Sequence, residues 1–204
     1  MPVRNVIKTY LPKRYYHIYS RGVAKQNIFA DDEDYRMYIS LFKRYLSTEE
    51  IISPTRHGYP NYHNRIELLA YALMPNHIHI LVYQHDEKAM TDLMKSLMIS
   101  YSMYFNKTHK RAGPLFQSRY LASLIDADNY LTHISRYIHL NPNNWVNTDK
   151  SSLDFYLNKR EADWINPQRI MTLFEGKQDY VKFLHDYEEQ KQIIDELKWE
   201  LAQQ

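Results

Sequence analysis

The sequence has 204 residues, with 26 basic side chains, 24 acidic side chains, 19 tyrosines and no cysteine. A chain of this length can bury the core of one domain, and without cysteine it forms neither a disulfide scaffold nor a thiolate metal site. It shows no signal-peptide pattern and no apolar run of the roughly 20 residues that span a bilayer, so we expect a cytoplasmic protein without a membrane partner.

Charge is distributed unevenly along the chain. Residues 1–150 contain 19 basic and 13 acidic side chains, a balance of +6, whereas residues 151–204 contain 7 and 11, a balance of −4. A basic body suits a polyanion such as a nucleic acid, although ordinary solvated charge would give the same counts. The tyrosines permit two interpretations as well, because tyrosines stack on bases and also fill cores.

The first predicted elements are a strand over 15–22 and a helix over 32–47, in which apolar residues recur at helical spacing after an acidic cap. Two further strands are predicted over 66–74 and 77–83. The turn Pro75-Asn76 between them predicts an antiparallel hairpin.

The second half of the chain begins with a predicted helix over 87–106 and a strand within 115–125. A third helix is predicted to start at Asp126 or Asp128 and to stop at Pro142, and two more helices are expected between 165 and 203. The order strand, helix, strand, strand, helix, strand, helix is typical of an α+β domain with an antiparallel sheet covered by helices.

Two histidines stand one residue apart in the apolar stretch Met74–Val82, MPNHIHILV. Because alternate side chains of a strand share a face, His77 and His79 point to one side, and Ile78 and Ile80 point to the other. The isoleucines explain why the strand is buried, whereas the histidines need another reason. Two imidazoles about 7 Å apart at the backbone can bind one metal ion together, and the alternative is a pair of hydrogen-bonded core histidines. Imidazole suits several divalent ions, so the pattern does not select the metal.

The third predicted helix offers further candidates. Tyr137 and Asn141 are four residues apart, so they lie one turn apart on the same row, which also includes His133. They could face a common site, or they could be an ordinary half-buried tyrosine and an end cap before Pro142. His139 points to nearly the opposite side of the helix and is expected at the surface.

Together these motifs resemble a known family. The stretch MPNHIHILV resembles the His-hydrophobic-His motif of HUH single-tyrosine transposases, and residues 137–142, YIHLNP, resemble the tyrosine helix of their REP-associated tyrosine transposase branch. Residues 16–22, YHIYSRG, and 115–120, LFQSRY, resemble that branch's first strand and the segment before its tyrosine helix. The order and spacing agree over about residues 14–145.

The resemblance implies a fold and a reaction. The fold is a ferredoxin-like antiparallel β-sheet covered by α-helices, the HUH nuclease fold, which we expect over residues 1–150. A C-terminal helical extension over 151–204 is expected to pack on the same domain. The reaction is metal-dependent cleavage and rejoining of single-stranded DNA through a 5′-phosphotyrosine, with REP-like hairpins as one candidate target.

The resemblance also implies site residues. The nucleophile falls on Tyr137, the paired metal ligands fall on His77 and His79, and the family's polar third ligand falls on Asn141. His133 has a supporting role at most. Two neutral imidazoles and an amide leave the ion its full charge and open positions for phosphate oxygens, so Mg²⁺ or Mn²⁺ fits.

Basic residues near these motifs are the candidates for contacts with DNA phosphates. They are Arg14, Arg21, Lys107, Lys110, Arg111 and Arg119. We expect the partner to be single-stranded or hairpin DNA, and the sequence leaves both a monomer and a homodimer open.

Two other functions fit parts of the pattern. A domesticated DNA-binding protein of the same fold would keep the basic face, but it is expected to have lost the nucleophile or a metal ligand. A metal-dependent phosphoesterase could use the same histidines, but its nucleophile would be a bound water and it would not need Tyr137. The intact set of motifs favours the cleaving enzyme.

Overall fold

The computed structural model describes residues 10–52, 58–126, 128–142, 144–145 and 148–186. Four strands form one sheet: β1 (Arg14–Arg21), β2 (Ile66–Met74), β3 (His77–Gln84) and β4 (Leu121–Ile125). The α-helices of this part of the chain are α1 (Asp32–Leu46), α2 (Ala89–Thr108), α3 (Asp128–Leu140), α4 (Leu153–Tyr156), α5 (Gln168–Met171) and α6 (Lys177–His185). None of these helices has the length and apolar character that crossing a membrane requires.

The strands are all antiparallel and lie in the order β2-β3-β1-β4. Helix α1 connects β1 to β2, and α2 connects β3 to β4, which gives the predicted ferredoxin-like arrangement. Strands β2 and β3 form the predicted hairpin, in which Met74 pairs with His77 across a two-residue turn. Strands β1 and β3 are therefore the central pair of the sheet.

Helices cover both faces of the sheet. On one face, α1 and α2 pack with Ile18, Ile78 and Ile80 in a first core. On the other face, α3 and the C-terminal helices pack with Leu81 and Ile125 in a second core. We call this second side the α3 face. Because side chains two apart on a strand share a face, the histidines of β3 lie on the α3 face with Leu81.

The end of β1 approaches the following loop closely. A Cβ atom at Gly22 would lie 2.2 Å from the carbonyl oxygen of Gln26, so no larger residue fits there without a backbone shift. The segment after α2 is bonded to this end of the strand, because the Gln117 amide donates to the Arg21 carbonyl at 2.8 Å. Arg21 in turn pairs with His77 on β3. The segment after α2 thus reaches the end of the sheet that carries His77.

The C-terminal helices differ in part from the prediction. The short helix α4 was not predicted, because four residues are too few to show a helical period. Helices α5 and α6 lie within the predicted range 165–203, and residues 187–203 of that range lie outside the described residues.

The prediction that His139 lies at the surface was wrong. Its side chain is fully buried, with Nδ1 2.7 Å from the hydroxyl oxygen of Tyr180 and Nε2 2.8 Å from Oγ of Ser152. Tyr180 belongs to α6, which packs against α3. The C-terminal helices therefore cover the side of α3 that the helical pattern alone would leave exposed.

Candidate active site

His77 and His79 stand together on the α3 face of the central strand β3. Their ring centroids are 5.1 Å apart, and His79 is buried while His77 is half-buried. The amide oxygen of Asn76 lies 2.6 Å from Nδ1 of His77. Since that oxygen can only accept, Nδ1 of His77 carries the proton and Nε2 keeps its lone pair.

Helix α3 presents Tyr137 to this histidine pair. The Tyr137 hydroxyl lies 3.5 Å from Nε2 of His79, and the two rings meet edge to face with centroids 5.1 Å apart. Tyr137 is 7% exposed, so packing in the second core holds its ring. His133, one turn earlier, has its Nδ1 2.9 Å from a guanidinium nitrogen of Arg136. The hydroxyl of Tyr120, the residue before β4, is hydrogen-bonded to that of Thr91 of α2 instead.

Asn141 directly follows the end of α3 and is half-buried. Its side chain is in contact with His77, and this contact acts to raise the pKa of His77 because it favours the protonated imidazole. Asn141 is thus in contact with His77, and Tyr137 is in contact with His79. The structure brings all four predicted catalytic and metal-binding residues into one cluster.

Burial keeps the histidines of this cluster neutral. It lowers the pKa of His77 to about 4, with a further contribution from the positive charge of Arg21, and it lowers the pKa of His79 well below the usual range. A neutral imidazole offers the lone pair that a metal ion needs. Two such imidazoles and an amide oxygen from Asn141 form a donor set that fits a divalent cation.

A third histidine, His17 of β1, belongs to the cluster and was not predicted. Its Nε2 lies 3.0 Å from Nδ1 of His79, and the rings are nearly parallel with centroids 5.1 Å apart. His17 is 1% exposed, and burial lowers its pKa to about 4. A polar residue inside a predicted buried strand was the available clue, but the sequence does not show which residue of another strand it meets.

The predicted DNA-binding residues occupy different places. Arg21 stands beside the histidines, because it pairs with His77 across the central strands, and its guanidinium carbon lies 5.3 Å from the ring centroid of Tyr19. Arg14 is at the other end of β1, opposite Gln84. A phosphate contact near the cluster is therefore open to Arg21, whereas Arg14 would need DNA that extends along the strand.

The remaining basic candidates lie at the end of α2 and in the segment that follows. Arg111 donates to Oδ1 of Asn106 at 3.1 Å and to the carbonyl of Pro114 at 2.8 Å. Its side chain therefore stabilises the loop that follows α2. The side chains of Lys107, Lys110 and Arg119 are exposed. Arg119 lines an open groove of about 690 Å³ together with Lys95 of α2 and Tyr120. Contacts between these residues and DNA stay a prediction.

Another group of possible metal ligands lies on the other side of the sheet. Asp31 and Asp34 at the start of α1 and His109 after α2 offer atoms within 4.8 Å of one another. The Asp34 carboxylate accepts the amide hydrogen of Ala30 at 2.8 Å and lies 3.0 Å from Nε2 of His109. Asp31 caps α1 by accepting the amide hydrogen of Asp34 at 3.1 Å, so this group has a structural role at the start of the helix. Helices α1 and α2 belong to the core opposite Tyr137.

The model of the family described as Transposase IS200 like matches residues 11–141. The chain belongs to this family. The matched range includes every strand of the sheet, the three clustered histidines, Tyr137 and Asn141. No curated protein matches this IS200-like transposase.

One solved structure shows the same architecture. A REP-associated tyrosine transposase solved with a bound REP hairpin superposes with a TM-score of 0.53 at 15% identity, over 80% of this chain and 92% of that one. This structure confirms the predicted fold, and the family match confirms the predicted transposase family. A protein of Deinococcus radiodurans, solved as a candidate transposase, has a TM-score of 0.36 at 15% identity, over 66% of this chain and 95% of that one. That second similarity is too distant to support an argument.

Proposed function

We propose that this IS200-like transposase cleaves and rejoins single-stranded DNA through a covalent bond to Tyr137, with Mg²⁺ or Mn²⁺ held by His77, His79 and Asn141. The observation that carries the proposal is the position of the Tyr137 hydroxyl, 3.5 Å from Nε2 of His79 within a cluster of neutral polar groups. A tyrosine that only filled the core would not need this cluster around its hydroxyl.

The proposed reaction begins with attack of the Tyr137 phenolic oxygen on the phosphorus of a phosphodiester. The bond between phosphorus and the 3′ oxygen breaks, and that oxygen takes up the proton which the phenol gives up. The products are a 5′-phosphotyrosine and a free 3′-hydroxyl. A bound divalent ion would polarise the scissile phosphate and favour the ionised phenol. Because one phosphoester replaces another, a 3′-hydroxyl can reverse the step and join strands without ATP.

The chain's own contribution is to fix the nucleophile in place. The Tyr137 ring meets the ring of His79 at an interplanar angle of 82° and that of His17 at the same angle, with centroids 5.1 Å and 6.0 Å away. Helix packing in the second core restricts the ring further. A phenol held in this way reaches the phosphate without first losing conformational freedom, which lowers the entropic part of the barrier.

Single-stranded DNA, or the strand that flanks a hairpin, is the proposed substrate. The solved REP-associated transposase holds a REP hairpin, which supports a nucleic-acid partner for this chain. Arg21 lies beside His77, and the segment that carries Arg119 is bonded to the same end of β1. A strand that runs along this end of the sheet would place its phosphates near these cations and near Tyr137.

The test is a reaction with a single-stranded oligonucleotide that is labelled at its 3′ end. With Mn²⁺, the label should become attached to the wild-type protein on a denaturing gel, and EDTA should prevent this. Tyr137→Phe should give no attachment, whereas Tyr130→Phe on the same helix should retain it.

Other outcomes of this reaction would refute the proposal. A labelled fragment that is released without attachment to protein, and that Tyr137→Phe also produces, would indicate a phosphoesterase with water as nucleophile. Binding of the oligonucleotide without any cleavage would indicate a DNA-binding protein that has lost the reaction.

A further inference from the structure

The structure assigns His17 a role that rests on the proposed function. We propose that His17 is a positioning residue for the metal ligand His79. In this proposal, Nε2 of His17 accepts the Nδ1–H of His79 and so keeps the Nε2 lone pair of His79 directed at the Tyr137 hydroxyl and the ion site.

The contact between His17 and His79 lies at the centre of the sheet, between strands β1 and β3. His17 pairs with Leu81 across β1 and β3, so His79, two residues earlier on β3, is its diagonal neighbour on the same face. The two nitrogens are 3.0 Å apart, and each residue is 1% exposed. Water therefore cannot replace either partner without a rearrangement of the core.

The direction of this hydrogen bond decides what His79 can do. Two neutral imidazoles need one donor and one acceptor between them. If His17 donated its proton, Nδ1 of His79 would be the acceptor, Nε2 of His79 would carry a hydrogen, and that nitrogen could not bind a metal ion. If His79 donates, its Nε2 keeps the lone pair. Only the second arrangement is compatible with the site.

His77 has the same arrangement, and the direction of its hydrogen bond is fixed by its partner. Its Nδ1 lies 2.6 Å from the amide oxygen of Asn76, which accepts and cannot donate. Each proposed histidine ligand thus has an acceptor at Nδ1, supplied by the hairpin turn for His77 and by β1 for His79. Metal-binding histidines in proteins are commonly oriented by such acceptors, and loss of the acceptor weakens metal binding by about 10- to 100-fold.

The tautomer of His79 tests the inference without any metal ion. Long-range ¹H–¹⁵N correlation spectra of histidine-labelled, metal-free protein distinguish an imidazole that is protonated at Nδ1 from one that is protonated at Nε2. We expect His79 to be the Nδ1–H tautomer at pH 7.5. A spectrum in which Nε2 of His79 carries the proton would overturn the proposal.

The affinity for Mn²⁺, measured by electron paramagnetic resonance, tests the consequence. His17→Gln can place an acceptor near the position of Nε2, whereas His17→Phe keeps the ring and its packing without an acceptor. We expect His17→Phe to weaken Mn²⁺ binding by about 10- to 100-fold and His17→Gln to restore most of the affinity. His139→Gln is the matched control, because it alters another fully buried histidine, whose partners are Tyr180 and Ser152. That control should bind Mn²⁺ as the wild type does.

The outcomes separate this inference from the proposed function. Wild-type affinity in His17→Phe would overturn the role of His17 and leave the proposed function standing. A wild-type protein that binds no Mn²⁺ would refute the metal site itself, and the role of His17 with it. If His17→Phe does not fold, the tautomer of His79 in the wild type still decides the question.

Discussion

The Tyr137 hydroxyl lies 3.5 Å from Nε2 of His79, although the two residues are 58 positions apart in the sequence. One residue stands on the central strand β3 and the other on α3, which packs across that face of the sheet. The proposed chemistry therefore depends on the docking of one helix on one sheet. Conservative changes at either residue should alter the reaction without removing the contacts that hold the helix in place.

The paired histidines should be needed for metal binding and cleavage but not for DNA binding. His77→Ala and His79→Ala each remove a proposed ligand, so we expect Mn²⁺ affinity and the cleavage rate to fall by more than about 100-fold. DNA affinity should change little, because it depends on the basic surface. His85→Ala, at an exposed histidine just beyond the same strand, is the control. A double His77→Ala, His79→Ala variant that cleaves at the wild-type rate would rule out the metal site.

Cleavage should require an unpaired strand. The cluster lies on a sheet face beneath a helix, and its phosphate-binding candidates suit a flexible strand that can bend into the site. We expect cleavage of a single-stranded oligonucleotide, or of the strand beside a hairpin stem, and little cleavage of the same sequence in a perfect duplex. Initial rates on the three substrates measure this preference. Equal rates on single-stranded and duplex DNA would contradict it.

Arg21 should contribute one phosphate contact near the reacting bond. Its removal in Arg21→Ala should weaken single-stranded DNA binding across sequences and reduce the slope of log affinity against log salt concentration by about 1. Lys159→Ala, at an exposed lysine that follows α4, should leave the slope unchanged. A salt titration of binding by fluorescence anisotropy gives both slopes. The same slope in Arg21→Ala and in the wild type would place Arg21 outside the DNA path.

Glu67 should make the attachment of α5 to the sheet depend on pH. Its carboxylate accepts two hydrogen bonds from Arg169 of α5, at 2.6 and 2.7 Å, and another from Asn166 at 2.7 Å. Burial acts to raise the pKa of Glu67, but the hydrogen bonds from Arg169 and Asn166 outweigh it, so the pKa lies below the usual 4.5. The ionised carboxylate is therefore favoured in the folded state.

The sign of the pH effect follows from this lowered pKa. The stabilisation is complete above pH 4.5 and is lost as the pH falls through the folded-state pKa. Glu67→Gln should lower the free energy of unfolding by about 1 kcal/mol at pH 7, after allowance for solvent screening, and by much less at pH 3. Urea unfolding at the two pH values measures the difference, with the exposed Glu161→Gln as control. A loss that is equal at both pH values would show that the charge of Glu67 is not responsible.

The parts of the site that depend on local pattern could be predicted from the sequence. Alternation along one strand places His77 and His79 on one face, and spacing along one helix places Tyr137 and Asn141 one turn apart. The contact of His17 with His79 could not be predicted, because it depends on the register between β1 and β3, and the two histidines are 62 positions apart.

His139 shows the same limit of prediction, because it was expected at the surface and is buried. The helical pattern of α3 identifies one apolar stripe and leaves the other side unassigned. That side is covered by residues that come much later in the chain, with Tyr180 of α6 in contact with His139. A side chain whose environment is supplied by a distant segment cannot be placed from its own helix alone.

The residue that becomes linked to DNA tests the central claim most directly. Wild-type protein is allowed to react with a single-stranded oligonucleotide and Mn²⁺, is then denatured and digested, and its peptides are mapped by mass spectrometry. We predict a 5′-phosphodeoxynucleotide on Tyr137 alone among the 19 tyrosines, and none in Tyr137→Phe. An adduct on Tyr130, Tyr120 or another tyrosine, or an adduct that persists in Tyr137→Phe, would contradict this account.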